Sequence, residues 1–405
     1  PIYFNLAPNY DALYRPRYIQ ERGLLHQGQG RWLSDTVGYW EMNGSWIGDD
    51  ERYQNTNPMI DADRWLFNTQ HKGQFGSAWR TKIAYTRVSD PEYIRDIENN
   101  RLSAQRRTAL QQLGRVDWLG EDWQVRVDVE KFQSLADDIR NDYQKLPQIT
   151  ARWRGAQNWM GVEPILLTQL SHFESDSVRV TGERLYMEAG LTMPNRWAYG
   201  FLTPTVKYRS ISYELDDFPL IEDDSPDAGS LMASLDGGLI FERQTTLGGS
   251  KVTQTLEPRA YYLYSEYEEQ FGQPDFDSAE LTFSYDQLYR DTRFSGHDRI
   301  DDANQLALGV TSRFIDNASG RETLRASVGQ IFYFRDREVR LNQIDPDLTE
   351  STSAIAAELA WSPSREWRLR SSILYDPNDN NFDAAYAQAS FMPGDGRIFN
   401  LGYTL

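Results

Sequence analysis

The chain holds four histidines, His26, His71, His172 and His297, and no cysteine. The histidines lie far apart and share no metal-ligand spacing. No HExxH, GxSxG or phosphate-cradling glycine loop occurs. Without a thiol there is neither a disulfide framework nor a thiolate metal site in this segment. The histidines therefore read as lumen, loop or interface side chains. The stretch DPNDNNFD at 376–383 sets oxygen donors at alternating positions, as calcium would require. It lacks the full EF-hand order, so it reads as an acidic turn. No catalytic residue, metal or cofactor is assigned. The densest polar group is Asp291, Arg293, His297, Asp298 and Arg299, which suits internal salt bridges. Of the 42 basic residues 36 are Arg, so a polar wall rich in guanidinium has two readings. It could receive an anionic ligand through planar bidentate contacts, or balance the Asp and Glu beside it.

Positioning such groups requires elements, and the clearest is WQVRVDVEK at 123–131. Trp123, Val125, Val127 and Val129 project to one side and Gln124, Arg126, Asp128 and Glu130 to the other, the alternation of a strand with one dry and one wet face. The texture recurs at 11–22, 23–33, 37–47, 64–71, 75–88, 108–118, 122–132, 146–153, 162–172 and 178–191. It continues at 197–213, 231–243, 251–267, 280–285, 304–314, 323–334, 353–361, 367–375, 384–392 and 398–405. With a short opening segment this makes roughly 20 strands, beyond a soluble sandwich and within the range of large outer-membrane barrels. Short turn-forming links at 120–122, 194–196, 247–250 and 393–396 alternate with long polar ones at 49–63, 89–106, 135–145, 216–229 and 336–350. Barrels of this kind show the same alternation between their two ends. Two successive long links, 268–277 and 287–302, break the pattern, and the second is expected to fold inward or against a partner.

Composition agrees with an all-β, antiparallel transmembrane barrel. Hydrophobic residues are 40% and the mean hydropathy is -0.66, too polar for a helical membrane protein. No run of 18 apolar residues occurs. A barrel escapes that test because only alternate residues meet lipid, and 13% aromatic content suits interfacial girdles. The net charge of -18 argues against nucleic-acid binding. No linker divides the chain, so residues 1–405 read as one barrel domain. It opens on Pro1 and Ile2 with no signal segment, and reads as a mature or excised piece.

Three blocks, LEPRAYYLY at 256–264, TFSYDQLYRDTRFSGHDRIDDANQLALGVTSRF at 282–314 and SVGQIFYF at 327–334, resemble the LptD family of outer-membrane lipopolysaccharide-assembly proteins. The opening YFNLAPNYDALYRPRYIQERG at 3–23, then RWLFNTQHKG at 64–73 and YTRVSDPEY at 85–93, match the start of that family's barrel in order. The resemblance implies a Gram-negative outer-membrane location and a periplasmic jelly roll followed by a roughly 26-stranded barrel. The barrel is plugged by the lipoprotein LptE, and lipopolysaccharide reaches it from a periplasmic Lpt bridge through the N-terminal domain. The lipid leaves sideways through a seam between the first and last strands. Against that pattern the chain lacks the jelly roll and the closing strands, and the family's disulfide cysteines fall in those parts. The resemblance also makes Pro1, Pro8 and Pro16 the prolines of the lateral gate. Arg126, Asp291, Arg293, His297, Asp298 and Arg299 become candidates for lumen or plug contact. Each proline in a strand deletes a ladder donor, worth about 1 kcal/mol in water and more against lipid, enough to bias a seam towards opening. Turn punctuation around Asn9, Tyr10 and Asp11 explains Pro8 and Pro16 equally well at this stage. A porin-like or plugged solute channel is the alternative function. A barrel enzyme would need a Ser/His/acid set that the sequence does not offer.

Overall fold

The computed structural model describes residues 1–56, 59, 61–97, 108–135, 143–177, 179–216, 223–341 and 348–405. Parts of the expected loops at 49–63, 89–106, 135–145, 216–229 and 336–350 lie outside these, as does Val178, the expected start of one strand. The chain is almost wholly antiparallel β, with 22 strands in long ladders and one separate two-strand pair among the described residues. No described helix is long and apolar enough to cross a membrane. The strands fall into two compact units. One holds Pro1–Arg154, Leu166–Tyr186 and Ser212–Pro226, and the other holds Gly155–Ile165, Met187–Ile211 and Asp227–Leu405.

The first unit is an antiparallel meander of nine strands. These are β1 (Ile2–Ala7), β2 (Tyr10–Ile19), β3 (Gly23–Ser34), β4 (Gly38–Ile47), β5 (Arg64–Phe75), β6 (Trp79–Val88), β7 (Ala109–Leu119), β8 (Trp123–Ser134) and β9 (Gln144–Arg154). Each pairs with the next. Residues directly opposite share a face, so the pairings sort the side chains. Trp79 lies opposite Trp118, Trp118 opposite Val125, Val127 opposite Val116, and Trp123 opposite Trp153 with ring centres 6.0 Å apart. Trp46 and Trp65 face each other at the far end of the same surface. Trp40 and Trp46 are six residues apart on β4, about 20 Å at the usual strand rise. Two aromatic rows bounding an apolar band of that height are what an interfacial girdle requires. The opposite face carries Gln29, Glu41, Asn43, Asn68, Arg115, Asp117, Arg126 and Asp128, joined by hydrogen bonds along and across the strands and by ion pairs. At the ends next to the long loops that face is covered. The short helices α1 (Glu51–Thr56) and α2 (Tyr93–Ile97) belong to those loops, and Tyr93, Ile94 and Ile97 pack on Leu25, Ile47, Val88 and Leu110.

Four further strands, β10 (Glu163–Glu174), β11 (Gly182–Thr192), β12 (Asn195–Trp197) and β13 (Gly200–Leu215), have residues in one or both units. β12 and β13 form a hairpin whose turn is Ala198 and Tyr199. The expected turn at 194–196 is therefore displaced, and Asn195 and Arg196 are ladder residues. The second unit continues with β14 (Asp227–Leu239), β15 (Phe241–Leu247) and β16 (Ser250–Ser265). After these come β17 (Ala279–Glu280), β18 (Phe294–Ser295), β19 (Ala303–Asp316), β20 (Glu322–Tyr333), β21 (Ile355–Trp361), β22 (Trp367–Asp376), β23 (Asn381–Gly394) and β24 (Arg397–Thr404). β16 is long enough to pair with β14 and β15 on one side and β19 on the other, and β19 to β24 run on as a meander.

The expected strand at 280–285 is not one. Only Glu280 is in a strand, the short β17 paired with β18, and Tyr285–Tyr289 form a single 3-10 turn. That turn lies on the polar face of the sheet, where Gly309 and Gly329 stand directly opposite each other in β19 and β20. A Cβ on Gly309 would lie 2.1 Å from the Tyr289 hydroxyl oxygen, and one on Gly329 would lie 2.6 Å from Leu288 Cδ1. The glycine pair thus makes the floor on which the segment sits. Leu288 is fully buried there with Met232, Tyr261, Leu263, Ala303, Ala307 and Ile331. The alternation in LTFSY at 281–285 mimicked a strand because Phe283, Tyr285 and Leu288 all pack on this floor.

Candidate functional site

The three candidate gate prolines occupy different settings. Pro1 precedes β1, and Pro8 sits with Asn9 in the β1–β2 turn. Only Pro16 is inside a ladder, opposite His26 of β3. The Leu33 amide donates to the Asn9 carbonyl at 2.8 Å, and the β2–β3 register runs unbroken from Tyr10 to Ile19. Odd-numbered β2 residues are therefore the ones bonded to β3, and the Pro16 nitrogen is turned to the β1 side. β1 meets β2 from Ile2 opposite Tyr14 to Ala7 opposite Tyr10, with an irregularity between Asn5 and Ala7. Pro16 so withholds a donor on the β1 flank, two residues beyond the last β1–β2 pair, Ile2 opposite Tyr14. The reading of Pro8 as turn punctuation holds, whereas Pro16 is a true strand proline.

The other end of this hairpin is anchored by a charge cluster. Arg64, with no exposed surface, donates to Asp50 at 3.0 Å, Asp90 at 2.6 Å and Asp96 at 3.1 Å. Its guanidinium carbon lies 4.1 Å from the centre of the Tyr53 ring and 5.6 Å from that of Tyr93. Arg22, in the β2–β3 turn, reaches Asp50 at 2.7 Å and Asp96 at 3.3 Å. Arg17, next to Pro16, donates to the Ile97 carbonyl at 2.8 Å. Asp50 thus serves two cations and Asp96 three, Arg95 at 3.8 Å being the third, and the hub ties both helical loops to the first hairpin. Sequence reasoning missed it as a functional unit. The signal was present, since Arg64, Asp90 and Tyr93 fall inside the blocks RWLFNTQHKG and YTRVSDPEY.

Arg126 lies on the polar face, opposite Asp117, with Nε 2.6 Å from the carboxylate. One row along, Arg115 pairs with Asp128 at 2.5 Å. The charge-balance reading of the arginine bias applies to this pair of rows.

Asp291, Arg293, His297, Asp298 and Arg299 lie along one segment but do not form a single cluster, and Asp291, Arg293, Asp298 and Arg299 each have partners of their own. Asp291 receives Lys207 at 2.9 Å and Arg209 at 2.7 Å. Burial pushes its carboxyl up, but the Arg209 guanidinium and the Lys207 ammonium outweigh burial and hold it below the usual aspartate range. Arg293 pairs with Asp301 at 2.8 Å, and burial raises the Asp301 carboxyl despite that neighbour. Asp298, completely buried, accepts the amides of Phe276, Asp277 and Ser278 at 3.0, 2.8 and 3.0 Å on one oxygen. Arg299 gives its donors to the carbonyls of Gln273, Pro274, Asp298, Arg340 and Leu341. His297 is half-buried beside Asp298. Asp302, unflagged by the sequence reading, accepts the Glu338 and Val339 amides and an Arg335 donor. These groups staple three chain segments together, so their main work is structural.

The remaining histidines are likewise engaged. His71 is held between the Tyr39 carbonyl and the Thr81 hydroxyl and stacks on Trp40 at 4.1 Å. His26 bonds the Tyr14 hydroxyl, and His172 lies between Glu174 and Glu183. Residues 376–383 span the end of β22, the turn at 377–380 and the start of β23, and no group of three metal-type side chains is found among the described residues.

A family profile described as "LptD: LPS transport system D" matches residues 62–405. The chain is 34% identical to an LPS-assembly protein LptD of Pseudomonas aeruginosa and 36% identical to one of Hahella chejuensis, in each case over its whole length. It covers 49% and 51% of those proteins, so it spans about half the length of the curated relatives it matches.

Proposed function

The chain belongs to the LptD family, and from that premise we propose that it forms the wall of an outer-membrane conduit for lipopolysaccharide. In this reading the lipid's sugars pass along the polar face while its acyl chains leave through a seam beside β1. The observation that carries the reading is the β1–β2 hairpin. A lipid with a hydrated head and hydrocarbon tails can leave a barrel sideways only where two strands part, and parting is cheapest where ladder bonds are already missing. Pro16 withholds its bond on the β1 side, at a cost of about 1 kcal/mol in water and more against lipid. That biases a seam without abolishing it. The two-faced strands support the membrane setting in a Gram-negative cell. The segment around Asp291 to Arg299, although stapled to its own sheet, supplies an inward surface for the plug lipoprotein LptE. Delivery from the periplasmic Lpt bridge falls to parts of the longer protein upstream. Transport here needs no chemical turnover and no cofactor.

The test replaces Pro16 by valine in the full-length protein. Restoring a donor on the β1 side is expected to slow delivery of lipopolysaccharide to the cell surface, measured by surface labelling, with normal amounts of assembled barrel. A Pro8→Ala replacement, in the turn, is expected to leave export close to normal. Equal export in the Pro16 variant and the parent would remove the gate from this reading.

A further inference from the structure

On the polar face of the first unit, Lys72 of β5 lies directly opposite Lys82 of β6, and Lys82 lies directly opposite Arg115 of β7. These two are among only six lysines in the chain. One row nearer the short turns, Arg80 lies opposite Asp117, which lies opposite Arg126. In these two rows five cations stand with two carboxylates, both committed, Asp128 to Arg115 and Asp117 to Arg126, while in the adjoining row Glu130 and Glu41 accept from Gln111 and Tyr39. Among the described residues Lys72, Lys82 and Arg80 have no ion pair, and both lysines and Arg80 are exposed. Directly opposed residues hold their Cβ atoms only about 5 Å apart, and like charges in that relation are destabilising. The chain carries a surplus of acid, 60 carboxylates to 42 basic groups, so general charge balance does not explain two lysines set face to face.

We propose that this patch is a binding site for a phosphate group on the saccharide head of a lipid, held between the Lys72 and Lys82 ammonium groups with Arg115 and Arg80 at its margin. An anion between the two lysines converts their mutual repulsion into two charge-assisted hydrogen bonds. The arginines add planar donors in the adjacent strand and row. Strands about 4.8 Å apart place the three facing cations within about 10 Å, a span that a sugar phosphate bridges. The patch is level with the aromatic row of Trp79, Trp118 and Trp123, next to the short turns. That is the end at which a lipid entering from the periplasm first meets the wall. The inference rests on the proposed conduit and adds to it a named point of contact.

The experiment uses the full-length protein in its outer-membrane complex, with a photoreactive residue at Gln70, two positions from Lys72 on the same face, and a second at Ile19 in the first hairpin. Lipopolysaccharide adducts at Gln70 are expected to fall about tenfold, the order of one lost charge-assisted contact, in K72Q/K82Q. They should persist in K72R/K82R, and fall equally when the lipid is enzymatically dephosphorylated. Heat-modifiable gel mobility confirms assembly of each variant. Unchanged adducts at Gln70 in K72Q/K82Q, or full adducts with dephosphorylated lipid, would overturn the site. Protection of Lys72 and Lys82 from acylation by inorganic phosphate, with no lipid adduct at Gln70, would assign the patch to free phosphate and overturn the lipid reading. Adducts at Ile19 without any at Gln70 reject this inference alone. Absence at both positions rejects the conduit itself.

Discussion

Arg64 is enclosed by Asp50, Asp90 and Asp96 with none of its surface exposed, so removing its charge leaves Asp50 and Asp96 to Arg22 and the exposed Arg95, and takes from Asp90 the guanidinium it faces. Breaking a buried pair costs about 3 to 5 kcal/mol. Arg64→Met is therefore expected to free the α1 and α2 loops and lower the thermal unfolding temperature of the assembled barrel, read by heat-modifiable mobility. Arg64→Lys, which keeps charge but loses the fork, should fall between. A different pH dependence belongs to Asp291. Its folded carboxyl is held below the ordinary value by Arg209 and Lys207, so the stability it contributes is fully present above an unfolded value of about 3.9. That contribution fades as the pH falls through the lower, folded value. Hydrogen exchange at 285–291 is expected to stay protected from neutral pH to mild acid and to rise only below about pH 4. Asp291→Asn should remove that step. The cluster from Asp291 to Arg299 was legible as a dense polar group, yet its partners were not. Lys207, Arg209 and the carbonyls of Gln273 and Arg340 come from other segments, which no local spacing reveals.

At the scale of elements the period-2 pattern was a sound guide, because each strand's two faces meet different surroundings within the length of the strand itself. The assignment of Val125, Val127 and Val129 to one face and Arg126 and Asp128 to the other is the one the β7–β8 and β8–β9 registers require. It predicts that Val127→Arg weakens barrel assembly by about 2 to 4 kcal/mol if the position is near the midplane, whereas Arg126→Val is tolerated far better. Assembly yields of the two variants provide the measurement. Equal yields would mean that the faces are exchanged. Reading failed where packing overrides pattern. Residues 280–285 alternate like a strand but are docked on the floor made by Gly309 and Gly329, and that floor is assembled from residues later in the chain. The helices α1 and α2 also escaped, since six and five residues carry too little periodicity to be recognised.

At the scale of the molecule, membership of the LptD family was visible in long contiguous blocks, and the profile match over 62–405 agrees with it. What such a protein does with its two-faced strands was visible only in outline, because alternation identifies a wall and not its cargo. Of the three candidate gate prolines only Pro16 lies in a ladder, and the register separates it from the turn at Pro8. Lipid passage along the polar face and out beside β1 is the central claim. In-cell photocrosslinking with probes at Ile19, Tyr3 and Arg126 of the full-length protein tests it most directly. Lipopolysaccharide adducts are expected at Arg126 on the polar face and at Tyr3 and Ile19 in the first hairpin, with few at Val127 on the other face. Adducts at none of the three in a correctly assembled barrel, together with conductance to small solutes, would contradict it.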